Sequence, residues 1–125
     1  MLTVCDFLAI GTNDLAQYVL AADRNNDSLG QLYDPLHPAL LRLLARVIRA
    51  GRRANKPVSL CGEIAGDPAF ARLLVALGLD DFSMHPGRIL AMRDALARCD
   101  SAALHALAPR LLHSGSRDEV AELLK

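Results

Sequence analysis

Apolar residues follow two rhythms along this chain. Short, largely apolar runs, DFLAI at 6–10, PVSLC at 57–61 and DFSM at 81–84, read as β-strands. The first, closed off by Gly11, has the pattern of a strand covered on both faces. Between the runs, apolar residues recur every three or four positions, as on helices. LAQYVLA follows the first strand as one such segment, and a longer one over 38–55 gathers Leu40, Leu41, Leu44, Val47 and Ile48 on one stripe opposite its arginines. A third helix is expected over 68–77, with Asp67 as N-cap, Pro68 at the first helical position and Gly78 just past the end.

The rest of the chain reads as helical. One helix follows Pro86-Gly87 and runs through Cys99. Asp100 or Ser101 can cap another that extends towards His113, and Ser116-Arg117-Asp118-Glu119 fits a capping box ahead of VAELLK. Strands alternating with helices imply parallel pairing through right-handed crossovers, the α/β class. Three strands are few for such a sheet, and a (β/α)₈ barrel takes about 250 residues. The 125 residues are therefore expected to be part of something larger.

Catalytic groups of such barrels sit at the C-terminal ends of the strands. That rule selects Asn13 and Asp14 after the first strand, Cys61-Gly62-Glu63 after the second and Met84-His85 after the third. Asp14 is a hard oxygen ligand of the kind Mg²⁺ takes, or else Asn13-Asp14 simply caps the following helix. Arg24, within DRNND, can grip a phosphate or carboxylate through two parallel hydrogen bonds, or pair with Asp23 on the surface. Cys61 is either an inert buried thiol or a sheltered, reachable one beside a glycine that permits close approach and a carboxylate that can tune its neighbours.

Composition narrows the picture. Hydrophobic residues make up 52% of the chain and mean hydropathy is +0.21, enough to bury a core. Fourteen basic and fourteen acidic residues cancel, so nothing global favours nucleic acid or an anionic membrane. All the cations except Lys56 and Lys125 are arginine, and Arg42, Arg46, Arg49, Arg52 and Arg53 read as a solvated helix face, since no aromatics are interleaved for base stacking. Cys5, Cys61 and Cys99 form no CxxC pair, which fits a reducing cytoplasm better than a disulfide framework or a zinc site. His37, His85, His105 and His113 fall into no closed metal-site spacing. No secretory pattern opens the chain, and no apolar run approaches the ~20 residues of a membrane span.

Four blocks, GTNDLAQY at 11–18, DRNND at 23–27, LYDPLHP at 32–38 and SLCGEIAGDP at 59–68, occur in the order and at the separations of the phosphoenolpyruvate-binding barrel of bacterial phosphoenolpyruvate–protein phosphotransferases. The chain resembles that barrel from about Cys5 to Cys99. Pyruvate phosphate dikinases and phosphoenolpyruvate synthases share related Gly-Thr-Asn-Asp and Cys-Gly blocks. DRNND, LYDPLHP and AGDP favour the phosphotransferase, and the wording of the first two leans towards its nitrogen-related paralogue. The resemblance implies a partial (β/α)₈ barrel, its last three β/α units, over residues 1–99, with a helical tail over 100–125.

It also implies roles. Asn13, Asp14 and Arg24 would bind phosphoenolpyruvate (PEP), Asp14 as one of two carboxylate ligands to Mg²⁺, and Cys61 would protonate the methylene carbon of enolpyruvate. Phosphoryl transfer rests on positioning and charge neutralisation, and a thiol is a competent acid for the enolate left behind. The accepting histidine belongs to a separate domain that in turn serves a phosphocarrier protein, in sugar transport or the nitrogen branch. The second metal carboxylate and further arginines lie on earlier strands. The chain alone is therefore expected to be inactive and to self-associate, as the family dimerises through this barrel. A dikinase or synthase fragment and a non-catalytic association module are the alternatives. His85 departs from the small residues usual at that strand end.

Overall fold

A computed structural model describes residues 2–22 and 34–125. In chain order they form β1 (Leu8–Gly11), α1 (Thr12–Leu20), α2 (Pro38–Arg53), β2 (Val58–Cys61), α3 (Ala71–Leu77), β3 (Asp81–Phe82), α4 (Ile89–Ala97), α5 (Ser101–His113) and α6 (Arg117–Leu123). Three 3₁₀ turns, at Glu63–Gly66, Pro68–Phe70 and Pro86–Arg88, punctuate the loops. The strands make one parallel sheet in the order β1-β2-β3, with Gly11 opposite Cys61 and Leu60 opposite Phe82. The α/β class is as expected. β3 is shorter than the apolar run suggested, although the Ser83 amide still donates to the Leu60 carbonyl at 2.9 Å.

One face of the sheet is buried. Ile10, Val58 and Leu60 meet Leu40, Leu41, Leu44 and Ile48 of α2 and Leu73 and Leu74 of α3. Leu104 and Leu111 of α5 and Val120 of α6 complete the same core. The other face carries Ala9, Gly11 and Asp81, all exposed, with Ser59 and Cys61 half-buried. Two-sided coverage of the first strand is thus not what the described residues provide, because the helices that pack on it all lie on the Ile10 side; Phe7 is 63% exposed. Among the described residues no helix is long and apolar enough to cross a membrane.

Local signals explain the helix boundaries. His37 caps α2 by accepting from the Ala39 amide at 3.2 Å, ahead of Pro38 at the first position. The helix ends at Arg53 because Asn55 turns left-handed, with φ 52°. The third helix begins as a 3₁₀ turn, where Asp67 Oδ1 accepts from Ala69 N at 3.0 Å, and closes on left-handed Gly78 as expected. Asp100 rather than Ser101 caps α5, through Ala103 N at 3.1 Å. Ser116 Oγ accepts from Glu119 N at 3.3 Å, but Glu119 reaches back to the amide of Gly115, at 2.8 Å, one residue before the cap.

Gly51 shows how tightly α2 lies on the sheet. It is buried, and a Cβ there would overlap the Val58 side chain and come within 3.2 Å of the Lys56 carbonyl. Gly51→Ala is expected to destabilise the chain by about 1–3 kcal/mol, the usual cost of overpacking, despite alanine's better helix propensity. Chemical denaturation reads this directly as a lower midpoint.

Candidate functional site

The C-terminal ends of β1 and β2 are stitched together by the residues that follow them. Thr12, 2% exposed, donates its hydroxyl hydrogen to the Cys61 carbonyl at 2.8 Å. Asn13 accepts through Oδ1 from the Glu63 amide at 3.3 Å and donates through Nδ2 to Glu63 Oε1 at 3.5 Å. Gly62 bends the chain between these contacts with φ 108° and ψ −177°, a conformation open essentially to glycine. The close approach that Gly62 permits is to Thr12 and Asn13, since a Cβ there would overlap Thr12 Oγ1 and stand 3.1 Å from Asn13 Oδ1.

Neither Asn13 nor Asp14 acts as the cap of α1. The capping position is Gly11, with no side-chain hydrogen bond, and both residues lie inside the first turn. The Asn13 amide is used across the sheet instead. Asp14 is exposed and makes no hydrogen bond or ion pair among the described residues, and its carboxylate stands where the helix dipole favours negative charge.

An open cleft of about 610 Å³ lies beyond the ends of β2 and β3, walled by Asn13, Glu63, Asp67, Met84, His85 and Arg88. Asp14 lines a separate, smaller hollow of about 280 Å³ with Gln17 and Tyr18. Cys61 is a half-buried free thiol that does not line the larger cleft. Its strand partner Gly11 shares its face of the sheet, and a Cβ on Gly11 would meet no described residue within 4 Å, so among the described residues that face is open beside the thiol. Arg24 lies outside the described residues.

His85 lines the cleft with its ring held in place, Nδ1 accepting from the Gly87 amide at 3.2 Å. That bond leaves the neutral ring's proton on Nε2. Arg88 was missed by sequence reasoning. Its Cβ and Cγ pass 3.5 Å from where a Gly66 side chain would begin, so the bare Gly66 backbone lets the arginine stem lie along the wall. Its guanidinium has no hydrogen bond or ion pair among the described residues. Its place just after a strand end was the only signal in the sequence. Among the described residues no three His, Cys, Asp or Glu side chains are grouped to hold a metal.

This arrangement, polar side chains at the C-terminal ends of adjacent parallel strands, coincides with a family match. Residues 1–101 fit the family described as PEP-utilising enzyme, PEP-binding domain. The chain belongs to that family. Among curated relatives it is 47% identical over 120 residues to the phosphoenolpyruvate-protein phosphotransferase of Cupriavidus necator, covering 96% of this chain and 20% of that protein. The proteins of the same name from Listeria monocytogenes and Haloferax volcanii are each 44% identical, covering 96% and 95% of this chain and 21% of each relative. The chain spans about a fifth of the length of these curated relatives. The resemblance carried by the four sequence blocks is borne out at the level of the family.

Proposed function

We propose that the chain is the PEP-binding portion of a phosphoenolpyruvate–protein phosphotransferase, which moves phosphate from PEP to a histidine of another domain and releases pyruvate. The observation that carries this reading is the bridge from Asn13 to Glu63, which fixes polar groups of two adjacent strand ends around one cleft. Asn13 Nδ2 is a donor beside the cleft for substrate phosphate. Arg24 supplies a second, charged contact to the substrate anion.

Mg²⁺ commonly takes one or two protein carboxylates and completes its shell with substrate phosphate and water, and Asp14, exposed and unpaired among the described residues, has the donor chemistry for one of them. When bound, the ion neutralises phosphate charge. Cys61 gives its proton to the methylene carbon of the enolate, from the side of the sheet next to Gly11 that the described residues leave open. The three β/α units are read as the last of a (β/α)₈ barrel, followed by a helical tail from residue 100. The sheet face that the described helices leave uncovered, lined by small and polar residues, then faces the barrel interior. The sugar-transport and nitrogen-related branches would differ in the phosphocarrier served, in the cytoplasm in either case. Because the acceptor histidine lies in another domain, the chain alone transfers nothing.

Titrating the isotope-labelled chain with PEP and Mg²⁺ tests the site. Amide shifts are expected to concentrate at residues 11–14 and 61–63. Shifts confined to other surfaces, or none at millimolar PEP, would refute the placement.

Self-association is a second reading, favoured by one observation: Val4, Phe7, Tyr18 and Leu90 are 86%, 63%, 85% and 79% exposed. Light scattering of the chain is expected to show dimers or larger species. A monodisperse monomer at tens of micromolar would contradict this reading.

A further inference from the structure

The arginine stripe of α2, expected from sequence to be a solvated helix face, forms one wall of a groove. The groove holds about 420 Å³ and runs between α2 and Leu112 near the end of α5, with Arg42, Arg46, Arg49 and Arg53 along it and the small side chains of Ala45 and Ala50 leaving it open. Arg42 is already committed, donating through Nε to the Leu112 carbonyl at 2.9 Å and through Nη2 to the Ser114 carbonyl at 2.8 Å. Those carbonyls belong to the C-terminal end of α5, whose partial negative charge would otherwise repel an anion. Arg42 therefore closes the groove and neutralises that end.

The other three are uncommitted. Arg52, Arg98 and Arg117 each pair with a carboxylate, whereas among the described residues Arg46, Arg49 and Arg53 make no hydrogen bond or ion pair and no carboxylate lines the groove. In a chain of formal net charge +0, that is a local concentration of positive charge among the described residues. We propose that this groove binds a multiply charged, linear phosphate anion.

Three features select that ligand. At 1.5 Å rise per residue, Arg46, Arg49 and Arg53 are spread over ~10 Å of helix, so an orthophosphate meets one or two of them and an oligophosphate chain meets all three. Guanidinium forks grip phosphate oxygens in pairs, which a lysine stripe would not do. With no aromatic residue among the described residues that line the groove, a base has nothing there to stack on, so recognition falls on the phosphate chain whether it is inorganic or part of a nucleotide. This site is on the helical side of the sheet and is independent of the PEP reading.

Calorimetry of the full chain at about 0.15 M salt, where surface charges beyond ~8 Å are screened, tests the proposal with inorganic tripolyphosphate, orthophosphate and a nucleoside triphosphate. Tripolyphosphate is expected to bind at least tenfold more tightly than orthophosphate. Arg49→Gln should weaken it by about 10-fold or more, the worth of a charge-assisted contact, while Arg93→Gln, an equal charge loss on α4, changes it less than twofold. A nucleoside triphosphate that matches tripolyphosphate confirms that the chain of phosphates is read; one that binds much more tightly shows a base contact and overturns that part. Equal effects of Arg49→Gln and Arg93→Gln, binding that survives replacement of Arg46, Arg49 and Arg53 together, or an acidic peptide outcompeting tripolyphosphate would each overturn the proposal.

Discussion

Replacing Gly62 by alanine is expected to cost about 2–4 kcal/mol of stability and to dismantle the strand-end site in the same step. Two independent penalties add. The backbone stands at φ 108°, where a side chain is strained, and the new Cβ would overlap Thr12 Oγ1. Thr12 cannot retreat cheaply: it is 2% exposed and its hydroxyl is bonded to the Cys61 carbonyl, so moving it leaves a buried polar pair unsatisfied. Asn13 Oδ1, 3.1 Å from the same point, would be pushed off the Glu63 amide. Denaturant titration should show the lower midpoint, and amide spectra the loss of the Asn13–Glu63 bridge. A variant of wild-type stability with that bridge intact would contradict the account of Gly62.

Gly62 also marks where the sequence stops speaking. Its position after a strand and before a carboxylate suggested close approach to a ligand, but the groups that approach are Thr12 and Asn13, fifty and forty-nine residues back in the chain. Contacts of that separation leave no local trace. The bond from Asn13 to Glu63, and Arg88 lying over Gly66 in the cleft wall, were invisible for the same reason. What was legible was governed by neighbours: the apolar runs that became β1 to β3, the stripe of α2, and Asp67, Asp100 and Ser116 as caps. The number of covered sheet faces was misjudged because Phe7 and Ala9 are apolar yet turned away from the helices. The family was legible because four motif blocks carry it without reference to tertiary structure.

Cys61→Ala is expected to lower PEP-dependent pyruvate release by about 10²- to 10⁴-fold, the usual contribution of a positioned acid, with the KM for PEP little changed. The setting for this measurement is the Cupriavidus necator phosphotransferase with its matching 120 residues replaced by this chain. Thr12 holds the backbone carbonyl of Cys61, so truncating the side chain leaves that contact in place. The thiol shares its face of the sheet with Gly11, which no described residue crowds. Cys61→Ser should fall nearly as far as alanine, because a hydroxyl is a much weaker acid. Retention of more than a tenth of the parent rate by either variant would remove Cys61 from the chemistry.

The ends of β1 and β2 are proposed to carry one side of a PEP site. The decisive measurement follows labelled phosphate from PEP to the acceptor histidine in the same segment-swapped enzyme. Mg²⁺-dependent transfer by that enzyme is expected, and its loss on Asp14→Asn, with the fold intact by circular dichroism. A folded swap that transfers no phosphate, or one that is indifferent to Asp14→Asn, would contradict that placement.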